Sequence, residues 1–127
     1  MNIEITSIPH KSHRYPTLGD YLIDKDKIKI FVSQELKPLH QQLVVIHELI
    51  ELLLCQQRNI SFTDIDNFDI EFEKKYPNNT DEPGEQEDAP YRKEHLFAEY
   101  IETQLAKEFN IDMNEYKLDC ENVINGI

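Results

Sequence analysis

Leu39 to Gln57, LHQQLVVIHELIELLLCQQ, decides how this chain folds. The stretch holds neither Gly nor Pro, and its apolar residues cover the whole helical circumference instead of one stripe, the pattern of a helix buried in a core. Three residues at its middle, His47, Glu48 and Glu51, interrupt that apolar surface. A carboxylate in such surroundings is costly unless it is paired or binds a cation, so the cluster needs partners. His47 and Glu51 stand at i and i+4 and project from one face about one turn apart, while Glu48 is rotated about 100° to the side.

Before this helix the sequence reads as short strands. Asn2 to Ile8 alternates, with Ile3 and Ile5 on one face. After a polar connection from Pro9 to Gly19, DYLIDKDKIKIFVS over 20–33 reads as a hairpin: a strand at Tyr21 to Ile23, a turn at Asp24 to Lys27, and a strand in which Ile28, Ile30 and Val32 share a face. Ser33 caps a short turn leading to Pro38. Three strands followed by a buried helix predict an α+β fold, with a small antiparallel sheet laid against the helix.

After the central helix, which should stop near Arg58-Asn59, Ser61 or Thr63 caps a second one up to Lys75. Phe62, Ile65, Phe68, Phe72 and Tyr76 recur on it at three and four, the spacing of a core stripe. Residues 78–90, NNTDEPGEQEDAP, carry five acids and no base and read as a mobile surface loop that could serve as a lid. Pro90 suits the first turn of a third helix, Tyr91 to Phe109. Its predicted apolar arc is Phe97, Ala98, Ile101, Leu105 and Phe109, with His95, Glu99 and Glu102 along the adjoining stripe. A last short helix from Asp112 to Val123 covers one end of the core.

The 127 residues suit one domain, 1–127. No apolar run is long enough to span a membrane, and MNIEITSIPHKSH lacks the apolar stretch of a signal peptide, so the expectation is a cytoplasmic protein without a membrane partner. Cys55 and Cys120 are then thiols, and neither belongs to a C-x-x-C pair of the kind that binds zinc through sulfur. Lys and Arg number 13 against 25 Asp and Glu, a net charge of -12. Ten of the acids fall between Ser61 and Pro90 with only Lys74 and Lys75 as bases. A surface of this sign repels a phosphate backbone, so nucleic acid is not an expected partner.

The run His47-Glu48-Leu49-Ile50-Glu51 has the geometry of H-E-x-x-H with the second His replaced. Through this H-E-x-x-E motif the chain resembles the zincin metallopeptidases, and its size is similar to that of minimal, gluzincin-like members. The resemblance covers this helix and, loosely, the third. It implies zinc held by His47, Glu51 and a residue of a later helix, with Glu48 as the base that takes a proton from the attacking water. His95 is the natural third ligand and Glu99 its alternative. Glu99 and Glu102 could orient a ligand histidine, and Tyr91, Tyr100 and Tyr116 are candidates to polarise the reacting carbonyl. The implied function is a zinc-dependent hydrolase, most simply a peptidase acting on a peptide or protein, with room for a partner protein to supply specificity.

Two other readings stand beside it. Glu48-x-x-Glu51 and Glu99-x-x-Glu102 are paired E-x-x-E motifs of the kind that hold magnesium in the all-α nucleotide pyrophosphohydrolases of the MazG and dimeric dUTPase type. A binding protein that keeps a zincin scaffold without catalysis is the third. For His47, Glu48 and Glu51 the structural alternative is a buried polar network. His10, His13 and His40 are expected to be solvated.

Overall fold

The computed structural model describes residues 1–77 and 81–127. The architecture is α+β, with strands β1 (Asn2–Ile8), β2 (Gly19–Asp24) and β3 (Lys27–Ser33) followed by helices α1 (Pro38–Gln57), α2 (Phe62–Lys75), α3 (Arg92–Glu108) and α4 (Met113–Ile124). Among the described residues no helix is long and apolar enough to cross a membrane.

The sheet is mixed, which corrects the antiparallel expectation. Its order is β1-β3-β2, with β3 antiparallel to β2 and parallel to β1. Alternation reveals which residues share a face but not the direction in which a strand pairs. Here the connection after β1 carries the chain across to the far edge, and the hairpin then returns β3 between the other two. β3 earns the centre by its side chains: Ile28, Ile30 and Val32 are all buried. β1 is less well covered than its pattern suggested, because Ile3 packs on the core while Ile5 is exposed. At the glycine-free hairpin turn Lys25 adopts φ 58°, a left-handed conformation that costs an L-residue roughly 1–2 kcal/mol.

α1 lies between two layers, packing on β2 and β3 and on α3. That position explains its apolar circumference: Leu43, Val44, Leu52 and Cys55 are buried. Each fully buried Leu contributes about 1.5–3 kcal/mol relative to exposure. Burial is not complete, since Ile46, Ile50, Leu53 and Leu54 are only half-buried. Asn59, at φ 57°, ends the helix as its position predicted.

α2 begins at Ser61, whose hydroxyl accepts from the Asp64 amide, and it buries Ile65 and Phe72 while Tyr76 at its end is exposed. α3 differs most from expectation. Of the predicted arc, Ala98 is buried and Leu105 and Phe109 pack on the core, but Phe97 is 48% exposed, and His95 from the adjoining stripe turns inward together with Ala106. Two alanines with no exposed surface let α3 approach α1 closely, since interaxial distance follows the side chains at the contact. From the adjoining stripe His95 and Glu102 reach His47 on α1, while the Glu99 side chain is 45% exposed.

The remaining histidines are not simply solvated. His40 is buried, with Nδ1 2.6 Å from Asp119 Oδ2 on α4. His10 Nδ1 and His13 Nε2 lie 2.8 and 3.0 Å from the hydroxyl of Ser33. Ser33 thus ties down the loop after β1, and α1 starts with Lys37 as cap and Pro38 in the first turn. These pairings need residues far apart in sequence, which local pattern cannot supply.

Candidate metal centre

α1 and α3 bring three ligand atoms to one point. His47 Nε2 lies 3.2 Å from Glu51 Oε2 and 3.2 Å from His95 Nδ1, and His95 Nδ1 lies 3.0 Å from Glu51 Oε2. All three residues are buried. In a tetrahedral zinc site with bonds of about 2.0–2.1 Å, neighbouring ligand atoms are about 3.3 Å apart, so this triangle has the size of one tetrahedral face. The donor set of two imidazoles and one carboxylate suits zinc.

The surroundings fix each ligand's orientation. His47 Nδ1 donates to Glu102 Oε1 at 2.7 Å, which leaves the lone pair of the neutral ring on Nε2, aimed at the centre. Tyr116 donates to the other oxygen of Glu102 at 2.5 Å and holds that carboxylate in place. Tyr21 donates to Glu51 Oε1 at 3.1 Å, so Glu51 presents a single free oxygen, Oε2. A carboxylate tied in this way occupies one ligand position, as the histidine of the standard motif does.

Electrostatics matches a cation site. Burial works against charge on Glu51, but the bonds from His47 and His95 outweigh it and hold its proton affinity below the usual carboxylate range. Burial also disfavours the His47 cation, yet the bonds to Glu102 and Glu51 raise its proton affinity well above normal; for His95 the bond to Glu51 and the nearby charge of Glu82 outweigh burial in the same direction. The cluster as a whole attracts positive charge.

Glu48 stays outside the triangle's hydrogen bonds. Burial, then repulsion from Glu51, pushes its proton affinity well above the usual carboxylate range, the direction a proton acceptor working near neutral pH requires. β2 runs along this face of α1. Gly19 lies so close that an added Cβ would sit 2.6 Å from Val44 Cγ1 and 2.9 Å from Glu48 Cγ, so only glycine fits there. Two residues on, Tyr21 reaches Glu51.

The acidic loop is packed against the site over its described part; residues 78–80 lie outside the described residues. The turn Pro83–Glu85 sits on the His95 ring, where a Cβ on Gly84 would fall 2.5 Å from His95 Cγ. Glu82 Oε2 lies 3.0 Å from His95 Nε2. Next to the cluster, Asp69 accepts from Tyr15 at 3.1 Å and from Tyr91. Burial of Asp69 raises its proton affinity, partly offset by the Tyr91 bond, to about 7. Arg14 bridges Asp20 and Asp66 at 2.9 and 2.8 Å and joins the loop before β2 to α2.

Comparison with family models, with curated proteins and with solved structures finds no match to this chain.

The structure therefore brings His47, Glu51 and His95 together, places Glu48 beside them and engages Glu102 as an orienting group. Glu99 stands 3.8 Å from His95 Nε2, on the side away from the triangle. Of the tyrosines expected to polarise a carbonyl, Tyr116 serves Glu102, Tyr91 serves Asp69, and Tyr100 is exposed beside Phe97. Sequence reasoning missed Tyr21, Glu82, Gly84 and Asp69. Tyr21 was within reach of pattern, as an inward position of a strand facing the helix. A concavity of about 460 Å³ lined by Lys37, His40 and Ile111 lies about two turns from His47 toward the start of α1; among the described residues neither group of potential metal ligands falls in it.

Proposed function

We propose that this chain is a zinc-dependent hydrolase of zincin type, most simply a peptidase. The observation that carries the reading is the buried triangle of His47 Nε2, Glu51 Oε2 and His95 Nδ1, with edges of 3.0–3.2 Å and with Glu102 fixing the His47 ring. His47, Glu51 and His95 would hold the ion. Zinc in such a site lowers the pKa of a water molecule and polarises a carbonyl oxygen. Glu48 takes the proton from the attacking water and returns it to the leaving amine. Tyr21 and Glu102 keep the ligands in register, and Tyr116 keeps Glu102 there.

The magnesium reading has less to stand on. It needs Glu48, Glu51, Glu99 and Glu102 to converge, whereas Glu102 is committed to His47 and Tyr116 and Glu99 lies on the far side of His95. Among the described residues both groupings of potential ligands contain His95, and neither is made of carboxylates alone.

The test is digestion of a mixture of unstructured peptides by the zinc-loaded protein, read by mass spectrometry, beside Glu48→Gln. The expected result is cleavage that falls by about 10²-fold or more in Glu48→Gln with zinc content unchanged. Zinc-loaded protein that cleaves nothing would turn the reading toward a non-catalytic zincin scaffold.

A further inference from the structure

The triangle uses one nitrogen of His95 and leaves the other without an in-line partner. His95 is 4% exposed, and its Nε2 forms no hydrogen bond. Glu82 Oε2 is 3.0 Å away but too far off the N–H direction to accept it. Glu85 comes close as well: one ligand atom each of Glu82, Glu85 and His95 lie within 4.8 Å of one another. Among the described residues no Lys or Arg forms an ion pair with either glutamate. Arg92, at the start of α3, donates to the backbone carbonyl of Glu85 at 3.2 Å. Gly84, between the two glutamates, allows the turn to close on the ring and carries both carboxylates there.

We propose that Glu82, Glu85 and His95 Nε2 form a second divalent-cation site, so that the His95 imidazole is shared between an inner and an outer ion. One nitrogen and two carboxylates select a borderline metal such as zinc over calcium. The proposal rests on the inner-site reading for the sharing of His95. Coordination through Nε2 releases the remaining N–H proton of the ring to solvent, and Glu82 and Glu85 are exposed, so the outer ion binds more weakly than the inner one and is lost first on acidification. When bound it clamps the turn Pro83–Glu85 over the inner site.

The experiment is titration of the metal-stripped full chain with zinc alone, with bound metal counted by equilibrium dialysis and elemental analysis. Wild type is expected to bind two equivalents, Glu85→Gln one, and Glu87→Gln, which removes the same charge from the same loop, two. Glu51→Gln serves to separate the sites. One equivalent in wild type, abolished by Glu51→Gln and unchanged by Glu85→Gln, overturns the outer site and keeps the inner. Two equivalents retained by Glu85→Gln also overturn it. One equivalent that Glu85→Gln abolishes and Glu51→Gln keeps supports the outer site and overturns the proposed function. Glu85 is exposed, so its substitution leaves the fold intact; an unchanged thermal melt of the metal-free variant checks this.

Discussion

The residue that sets the character of the proposed centre is Glu51, because a carboxylate there would bind through one oxygen only while Tyr21 holds Oε1. Tyr21→Phe should therefore loosen zinc modestly, and Glu102→Gln, which removes the charged acceptor of the His47 N–H, should weaken it by about 10–100-fold. Competition with a chromophoric chelator measures both. Gly84→Ala should cost about 1–3 kcal/mol of stability, since the new Cβ would overlap the His95 ring, and a denaturant melt reads it. His47, Glu48 and Glu51 were legible because charge in an apolar helix is conspicuous. Glu82 and Gly84 were not, because in an acidic loop nothing local distinguishes a residue that folds back onto a distant histidine from one that faces water.

At the scale of elements, the site exists because α1 and α3 approach closely. Ala98 and Ala106 have no exposed surface, so a larger side chain at either has nowhere to go. Ala98→Leu should destabilise the fold by about 1–3 kcal/mol and lower zinc affinity at the same time, as the helices part between His47 and His95. Calorimetric melting and zinc titration of the one variant check both effects. The positions of the helices were readable from periodicity, caps and the prolines around them. The inward face of α3 was readable only in part: Ala98, Leu105 and Phe109 of the predicted arc pack inward, but Phe97 faces solvent and His95 turns toward α1, because a close helix contact favours small side chains over the bulkiest ones. The direction of β1 was hidden for a similar reason, since alternation is the same for parallel and antiparallel pairing.

For the whole molecule, stability should depend on pH through Asp69 and on metal through the triangle. Burial raises the Asp69 proton affinity to about 7, against an ordinary value of about 3.9. Between those values the folded chain keeps a proton that the unfolded chain releases, so this contribution to stability is full at low pH and is lost as pH rises from about 4 to about 7. Asp69→Asn should remove that slope, worth of order 4 kcal/mol at most, in denaturant melts across the window. Zinc held by the proposed triangle would act in the opposite direction, because its ligands must be deprotonated and its stabilisation would grow as pH rises. The α+β class followed from the order of strands and helices, but the mixed sheet and the packing of the acidic loop on His95 depend on contacts between distant segments. The proposed zinc triangle is tested by elemental analysis of protein purified without chelator and dialysed against metal-free buffer, for wild type, His47→Ala, His95→Ala and Glu48→Gln. Wild type and Glu48→Gln should each retain about one zinc per chain and either histidine variant none, if His47 and His95 are both ligands. Folded wild-type protein that retains no zinc would contradict it.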